Sequence, residues 1–266
     1  MRRKFLRYVN RSLRAMGINI RKTTDQKLLK FFFDRINPVA TEHCLIRIGG
    51  NNDGGYLVPD DLDGIEACFS PGVSNVATFE EELAKKGIRS YMADYSVNGP
   101  PVHNSMFDFE KFYLGAENNE IYQTLDNWVS KKTPGHPDDL ILQMDIEGGE
   151  YDVLLQSPSN LLRRFRILVI EFHSLDGLMD QYGYKIISHV FMKLLSDFEI
   201  VHIHPNNASN IFRTGEYTIP GAMEFTFLRK DRIKQRTPLR EFPNKYDFRN
   251  LADKKDMVLP ECWYNK

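Results

Sequence analysis

The segment that most restricts what this chain can fold into is Leu140–Glu150, in which an apolar run stops abruptly at three carboxylates and two glycines. The run Leu140–Met144 predicts a strand that is covered on both faces of a parallel sheet. Ligands of such sheets bind beyond the carboxyl ends of the strands. We therefore expect Asp145, Glu147 and Glu150 to lie at or near a reaction site. In the alternative interpretation, the segment is a solvated loop in which Asp145 caps a helix and the glutamates occupy its first turn.

A glycine turn and a later acidic residue point to a bound ribose. Residues 65–73 predict a strand that runs into a turn at Gly72, and a helix and a second strand follow before Asp94. Asp94 comes 22 residues after Gly72, and in nucleotide-binding α/β units an acid about 20 residues after the glycine turn binds ribose hydroxyls. The pyrophosphate fingerprint G-x-G-x-x-G is absent, because residues 72–77 contain only one glycine. The sequence therefore favours a ligand that has a ribose and no phosphates, and S-adenosylmethionine is such a ligand.

Several motifs are similar to those of one enzyme family. The sequence Asp-Ile-Glu-Gly-Gly-Glu at Asp145–Glu150 matches the pattern D-x-E-G-x-E, and residues 69–74 and Asp94 fall where the cofactor motifs of that family fall. Further family-like stretches are residues 52–58, 169–173, 202–207 and 224–227. From about Arg47 to Asp231, the chain resembles the FkbM-type S-adenosylmethionine-dependent methyltransferases.

The resemblance implies a cofactor site that is built from several segments. The implied contacts are Gly54, Gly55, Tyr56, Ser70, Gly72, Asp94 and Asp145. In this interpretation the adjacent glycines let the backbone approach the cofactor while Tyr56 covers it; alternatively, they only make a tight turn. The chain departs from many methyltransferases at Ser70 and Pro71, where an acidic residue commonly precedes the glycine turn. This departure leaves open which group holds the amino group of the methionine moiety.

Three residues from distant parts of the chain are candidates for the reactive centre. Asp145 and His173 each follow an apolar strand at the same predicted edge, and His204 lies on a later strand. Such residues can bind a divalent metal or remove a proton from a hydroxyl. We therefore expect Asp145, His173 and His204 to be the catalytic residues and the ligands of a divalent metal; without a metal, one histidine is the general base. Each of them can instead be a hydrogen-bonded structural residue.

Alternating strands and helices predict an α/β fold. Strands are expected at about 65–70, 89–94, 109–114, 140–145 and 166–172, with helices at about 78–86, 119–131, 149–156 and 183–198. This alternation indicates a Rossmann-like, doubly wound and mostly parallel sheet, and strand-like runs at 199–204 and 223–228 add an antiparallel pair at its edge. We divide the chain into an N-terminal helical extension (1–45), a methyltransferase domain (46–231) and an irregular C-terminal tail (232–266).

Composition and charge limit the setting of the protein. A chain of 266 residues can bury one large core, and its three scattered cysteines indicate a reducing cytoplasm rather than a disulfide framework. Residues 1–22 carry eight basic residues and no acidic one, with apolar residues at helical spacing. Such a helix binds an anionic membrane surface or a partner such as a second copy of the chain, or it folds back onto its own domain. We expect a cytoplasmic protein, free or peripheral at the membrane, that does not bind nucleic acid, because no nucleic-acid motif is present and the rest of the chain is acidic.

These observations together favour an S-adenosylmethionine-dependent O-methyltransferase. The expected acceptor is a sugar hydroxyl in a glycan, a nucleotide-sugar or a glycosylated product, and the amides of Asn206 and Asn207 can hold sugar hydroxyls or form a turn. The alternative is a metal-dependent hydrolase that uses the Asp, Glu and His residues. Asp94 counts against it, because a hydrolase has no need of an acid after the second strand. A third alternative is a non-catalytic cofactor-binding protein that acts through its basic helix.

Overall fold

The structure is a computed structural model that describes residues 21–135 and 139–265, together with Leu13, Met16 and Gly17. The basic helix that we predict within residues 1–22 therefore lies almost entirely outside the described residues. In the described part of the chain, no helix is both long enough and apolar enough to cross a membrane.

Helices and strands alternate along the described chain. The helices are α1 (Gln26–Phe33), α2 (Thr78–Lys85), α3 (Leu125–Lys132), α4 (Glu150–Gln156), α5 (Ser159–Leu162) and α6 (Gln181–Asp197), with short 3₁₀ helices at Leu175–Met179, Lys230–Arg232 and Glu261–Trp263. The strands are β1 (Val39–Thr41), β2 (Leu45–Ile48), β3 (Tyr56–Pro59), β4 (Ala67–Pro71), β5 (Arg89–Ala93), β6 (Phe107–Glu110), β7 (Tyr113–Leu114), β8 (Tyr122–Gln123), β9 (Leu140–Met144), β10 (Phe165–Phe172), β11 (Phe198–Pro205), β12 (Ile211–Thr214), β13 (Tyr217–Pro220), β14 (Met223–Arg229) and β15 (Arg236–Pro238).

A seven-stranded sheet with the order β11-β14-β10-β9-β4-β5-β6 forms the centre of the molecule. Strands β10, β9, β4, β5 and β6 are parallel, whereas β14 runs antiparallel to β10 and β11. This confirms the predicted doubly wound, mostly parallel sheet with an antiparallel edge pair. The chain leaves β4 toward β5 on one side and later adds β9 on the other side. The carboxyl ends of β4 and β9 therefore form the switch point at which such sheets bind ligands.

Alternate residues of the central strands enter two hydrophobic layers. Phe69 and Leu142 face a large cluster that includes residues of α1, α3, α4 and α6. Cys68 and Ile141 face a second cluster, formed with α2 and the β2–β3 hairpin. Because side chains alternate across a strand, an uninterrupted apolar run fills both layers at once.

Three local features differ from the predicted pattern. The strand expected at 109–114 is broken, and its second half, β7, pairs with β8 in a separate two-stranded sheet. The helix expected from residue 119 begins only at Leu125, because the Thr124 side chain accepts a backbone hydrogen bond and caps the helix there. Along the chain, strands β12 and β13 come after β11 and before β14, and they pair with each other as a separate hairpin. The sequence pattern predicts no strand in this stretch.

The segments before and after the predicted methyltransferase domain contribute to its core. Phe33 of α1 stacks on Tyr217 of β13 with 4.5 Å between ring centroids, and Trp263 meets Phe33 edge-on at 4.9 Å. Trp263 is fully buried, and its Nε1 donates a hydrogen bond to the carbonyl oxygen of Thr218 at 3.0 Å. Strand β15 also pairs with β1. The C-terminal segment, expected to be irregular, thus contains a short strand and part of the hydrophobic core.

We expect Trp263→Ala to lower the free energy of unfolding by about 3–5 kcal/mol, because it empties a large buried site. Urea denaturation measures this difference. Val258→Ala is the control, since Val258 lies in the same segment, is 74% exposed, and exposed substitutions change stability by no more than about 0.5 kcal/mol. Equal stability of Trp263→Ala and the parent protein would contradict the packing of this segment.

Candidate active site

A cavity of about 550 Å³ opens at the carboxyl ends of β4, β5 and β9. Its lining residues are Asp53, Gly72, Ser74, Ala93, Asp94, Ser96, Tyr113, Leu114, Tyr122, Asp145, Ile146, Glu147 and Gly149. Small-molecule ligands bind in cavities of roughly this size. The predicted residues Gly72, Asp94 and Asp145 therefore share one cavity.

The turn at Gly72 brings the ends of β4 and β9 into contact. Gly72 has a φ of 90°, and a Cβ atom on it would lie 1.6 Å from the carbonyl oxygen of Asp145. Only glycine avoids this collision, and it also tolerates the positive φ. The single glycine of the turn thus permits the backbone contact on which the floor of the cavity depends.

Asp94 is held by the two turns that flank it. Its Oδ2 accepts a hydrogen bond from the backbone N of Ser74 at 2.9 Å, and its Oδ1 accepts hydrogen bonds from the backbone N and the hydroxyl of Ser96 at 2.8 and 2.7 Å. A carboxylate has about four acceptor sites. Asp94 is therefore fixed in position and retains an acceptor site for a ligand hydroxyl.

A smaller cavity of about 90 Å³ adjoins the first one and shares Asp53, Gly72, Ser74 and Asp145 with it. Its other lining residues are Gly54, Tyr56, Val73, Val76, Phe79, Glu80 and Gln143. Two of the residues implied by the resemblance, Gly54 and Tyr56, thus lie at this second cavity.

Ser70 and Gly55, which the resemblance also implies as cofactor contacts, do not line either cavity in the described part of the chain. The buried Ser70 hydroxyl is hydrogen-bonded to Glu80 and lies 2.7 Å from the side-chain oxygen of Gln143. A Cβ atom on Gly55 would lie 2.0 Å from the carbonyl oxygen of Gly50, so its close approach is to a neighbouring loop. Ser70 can therefore act on a ligand only through Glu80 and Gln143, which both line the smaller cavity.

His173 lies at the centre of a carboxylate cluster. Its Nε2 is 3.5 Å from Oε2 of Glu147, 3.7 Å from Oε1 of Glu171 and 3.8 Å from Oδ1 of Asp145. Its Nδ1 is 3.2 Å from Oε1 of Glu150. The two ring nitrogens thus have different surroundings: Nδ1 has one hydrogen-bond partner, and Nε2 faces three carboxylates.

Glu150 connects His173 to the loop after β9. The Glu150 side chain is fully buried, and its Oε1 also accepts hydrogen bonds from the backbone N of Ile146 at 3.2 Å and of Gly148 at 3.1 Å. Between them, Glu147 adopts a left-handed φ of 55°. One carboxylate therefore orients both the loop that carries Asp145 and Glu147 and the imidazole that they face.

Burial and crowded charge shift the pKa values in this cluster. Burial, reinforced by the charge of Glu171, raises the pKa of Asp145 to about 8. Burial, reinforced by Glu224, raises the pKa of Glu171 to about 8. Burial lowers the pKa of His173, but its hydrogen bond to Glu150 and the charge of Glu171 outweigh this effect and bring the pKa to about 9. The groups of the cluster thus hold their protons tightly, because the carboxyl groups are buried and because the cluster contains more negative than positive charge.

His204 makes a different set of contacts. It shares a strand face with His202, two residues away, and both histidines contact Asp247: His202 Nε2 is 2.8 Å from Oδ1, and His204 Nδ1 is 3.8 Å from Oδ2. Among the described residues, the group whose ligand atoms lie within 4.8 Å of one another is Asp145, Glu147 and His173. The geometry thus brings two of the three predicted centre residues together and puts Glu147, rather than His204, beside them. The catalytic roles of these residues stay predictions.

Glu171 and Asp247, which contact the candidate histidines, have no role in the sequence-based prediction. Glu171 is 2% exposed in the apolar strand β10, and it shares a strand face with His173 because the two are two residues apart. A lone carboxylate in an apolar strand next to a candidate histidine is a signal that could have identified it. Asp247 carries no such signal, since it lies in a charged segment far along the chain from the histidines that it contacts.

The fold and the site together define an α/β protein with a cavity at the carboxyl edge of its sheet, beside a carboxylate–histidine cluster. Residues 42–197 match the model of the methyltransferase FkbM domain, which is more than half of the chain. The protein therefore belongs to the FkbM methyltransferase family, and this membership replaces the hydrolase alternative. No curated protein matches the chain.

Three solved structures match part of the chain at low sequence identity. A fibrillarin/Nop5p complex matches with 12% identity and a TM-score of 0.36, covering 62% of this chain and 72% of that one. Magnesium protoporphyrin IX methyltransferase from Synechocystis PCC 6803, with bound SAM, matches with 16% identity and a TM-score of 0.31, covering 64% and 72%. The human methyltransferase 10 domain containing protein matches with 9% identity and a TM-score of 0.32, covering 76% and 80%. The class of the protein rests on the family match.

The contact of Asp247 with the two histidines predicts a pH-dependent contribution to stability. Burial raises the pKa of Asp247, but its hydrogen bond with His202 and the charges of His202 and His204 outweigh burial and hold the pKa below its usual range. Burial lowers the pKa of His204, but Asp247 and Glu224 outweigh this effect and raise it. A histidine whose pKa is raised on folding adds stability below its unfolded pKa of about 6.5, and this stability is lost as the pH rises through the folded pKa.

We therefore expect Asp247→Asn to lower the free energy of unfolding by about 3 kcal/mol at pH 6 and by less at pH 9. Urea denaturation at the two pH values measures the effect. Asp253→Asn, which changes an exposed acid of the same segment, is the matched control. A loss that is the same at both pH values would contradict the charged state of His204.

Proposed function

We propose that this protein is an S-adenosylmethionine-dependent O-methyltransferase whose acceptor is a sugar hydroxyl in a glycan, a nucleotide-sugar or a glycosylated product. The observation that carries the proposal is that the cavity beside Gly72 and Asp94 includes Asp145 and Glu147, which both face His173. A cofactor cavity and a proton-binding cluster thus share one edge of the sheet. Transfer of a group from a cofactor to a hydroxyl needs both.

The cavities suit the parts of S-adenosylmethionine, which supplies a methyl group bound to a positively charged sulfur. Asp94 offers an acceptor site to a ribose hydroxyl, and the rings of Tyr113 and Tyr122 offer apolar surface to adenine. In the smaller cavity, Asp53 and Glu80 offer carboxylates to the amino group. We infer that Glu80, which is hydrogen-bonded to Ser70, supplies the carboxylate that Ser70 itself lacks.

The carboxylate cluster suits activation of a hydroxyl. With a pKa of about 9, His173 is protonated at neutral pH when no other cation is bound, so it does not accept a proton in that state. Asp145 and Glu171, with pKa values of about 8, are also mostly protonated at pH 7, but they lose their protons at lower pH than His173 does and are then stronger bases than ordinary carboxylates. When no cation is bound, Asp145 is a better candidate than His173 or Glu171 to remove the proton of the acceptor, because Asp145 also lines the cofactor cavity.

The part of the larger cavity that is lined by Asp53 and Glu147 also suits an acceptor with several hydroxyls. Asp53 and Glu147 line the cavity, and the Glu147 side chain is 86% exposed. Carboxylate oxygens accept hydrogen bonds from several hydroxyls at once. Asn206 and Asn207 contribute less to this proposal, because Asn206 Nδ2 donates to Glu171 Oε1 at 2.6 Å and the Asn207 amide is hydrogen-bonded to the C-terminal segment.

Incubation of the purified protein with methyl-labelled S-adenosylmethionine and a panel of nucleotide-sugars and glycans tests the proposed function. We expect label on a sugar hydroxyl, located by mass spectrometry of the product. Transfer to nitrogen or to a carboxyl group would contradict the proposed acceptor. Failure of the protein to bind the cofactor would contradict the whole proposal.

Asp94→Ala is expected to weaken S-adenosylmethionine binding by about 3 kcal/mol, or roughly 100-fold, because it removes a charge-assisted hydrogen bond and releases the turns at Ser74 and Ser96. Calorimetric titration measures the affinity. Asp126→Ala, at an exposed acid in the first turn of α3, is the control and should bind normally. Undiminished binding by Asp94→Ala would show that the ribose lies elsewhere.

Asp145→Asn is expected to lower turnover at least about 100-fold, the usual contribution of a positioned proton acceptor, and His173→Ala by a similar factor, because it removes the imidazole that faces Asp145 and Glu147. Steady-state rates at saturating cofactor measure the loss, and calorimetry checks that the cofactor still binds. Near-normal turnover in both variants would mean that the reactive centre is in another part of the protein.

A further inference from the structure

We propose that Asp145, Glu147 and His173 bind a divalent transition metal ion, and that the buried carboxylate of Glu171 completes the protein side of this site. The binding of the ion is independent of the proposed function. Its role, to hold the acceptor hydroxyl and lower its pKa, rests on the proposed function.

The imidazole of His173 is arranged as a metal ligand. Its Nδ1 lies 3.2 Å from the buried Glu150 carboxylate, which holds a proton on Nδ1. When an incoming ion displaces the proton of Nε2, the lone pair of Nε2 is directed at the cluster. Metal-bound histidines typically donate their other N–H to a carboxylate in this way, and the carboxylate also makes the imidazole a stronger ligand.

The spacing of the oxygens around Nε2 fits an ion better than a proton. The oxygens of Glu147, Glu171 and Asp145 lie 3.5, 3.7 and 3.8 Å from Nε2. All three distances exceed the usual length of a hydrogen bond, about 2.7–3.2 Å. Two ligands that each lie about 2.0–2.2 Å from a metal are about 3.0–3.6 Å apart. The distances from Nε2 to these three oxygens are thus within a few tenths of an ångström of that range, and the ligand atoms of Asp145, Glu147 and His173 all lie within 4.8 Å of one another.

Three buried carboxylate oxygens around His173 have no hydrogen-bond partner in the described part of the chain, and one of the three is Glu150 Oε2. Among the described residues, Asp145 Oδ1 and Glu171 Oε2 are buried and accept no hydrogen bond, and Glu171 is 2% exposed. A buried carboxylate oxygen without a partner is costly. Asp145 Oδ1 is the unpaired oxygen that also faces Nε2 of His173. Glu171 reaches the cluster from β10 with its Oε1, which accepts a hydrogen bond from Asn206, whereas Asp145 and Glu147 come from the loop after β9.

The donor set indicates the kind of ion. One imidazole nitrogen with carboxylate oxygens suits Mn²⁺, Fe²⁺ or Co²⁺, because imidazole favours transition metals and carboxylates suit harder ions. The exposed side of the site, next to Glu147, leaves open positions for water or a hydroxyl. Manganese is the probe of choice, since free and bound Mn²⁺ have different electron paramagnetic resonance signals.

Titration of the full-length, chelator-stripped protein with Mn²⁺ tests the proposal by electron paramagnetic resonance and calorimetry. We expect one bound ion per chain. His173→Ala should weaken binding at least about 100-fold, and Glu150→Gln about 10-fold, as expected for a residue that orients a ligand. His189→Ala, which removes an exposed helix histidine, is the control and should bind normally.

Glu147→Gln keeps the test valid if a buried variant fails to fold, because Glu147 is exposed; we expect it to weaken Mn²⁺ binding about 10-fold. No stoichiometric binding of Mn²⁺, Co²⁺ or Zn²⁺, or binding that His173→Ala and Glu147→Gln leave unchanged, would overturn the proposal. Methyl transfer in excess chelator would overturn the role of the metal while leaving the proposed function intact. Normal metal binding without methyl transfer to any acceptor would instead overturn the proposed function.

Discussion

The contact between the turn at Gly72 and the backbone of Asp145 is the constraint on which the active edge depends. A Cβ atom at Gly72 would collide with the Asp145 carbonyl oxygen, so the ends of β4 and β9 can meet in this way only because the turn has no side chain there. That contact makes the residues after the two strands neighbours. Asp94, held by the backbone N of Ser74 in the same turn, and Asp145 consequently line a common cavity.

Glu150 has a comparable role on the other side of this cavity. Its buried carboxylate binds two backbone N–H groups of its own loop and the ring of His173. A loop with three acidic residues would otherwise be expected to spread apart through repulsion. Because one of the three is turned inward as an acceptor, the other two are presented to the cavity with His173 between them. The acidic motif thus consists of one buried carboxylate that holds the loop and two carboxylates that line the cavity.

Most of the fold and about half of the site follow from the sequence, and the reasons for the difference are physical. Uninterrupted apolar runs such as Leu140–Met144 identify central strands because both faces of a parallel sheet are covered. The places of Gly72 and Asp94 follow from local spacing. The partners of His204 do not, because Asp247 lies in a charged segment without periodicity, and only the folded chain brings the two together. Ser70 shows the same limit: it ends the strand that leads to the turn at Gly72, but its hydroxyl is hydrogen-bonded to Glu80 of the next helix and lines neither cavity in the described part of the chain.

The burial of Trp263 also has a consequence for how this protein is made. Trp263 packs against Phe33 of the first described helix and hydrogen-bonds to Thr218, so the hydrophobic core joins residues that are synthesised at very different times. While the ribosome is still adding the segment after β14, the early helix and the finished sheet lack this side chain. The core can therefore close only once the chain beyond Trp263 has left the exit tunnel, and until then the nascent protein exposes aromatic surface that a chaperone can recognise.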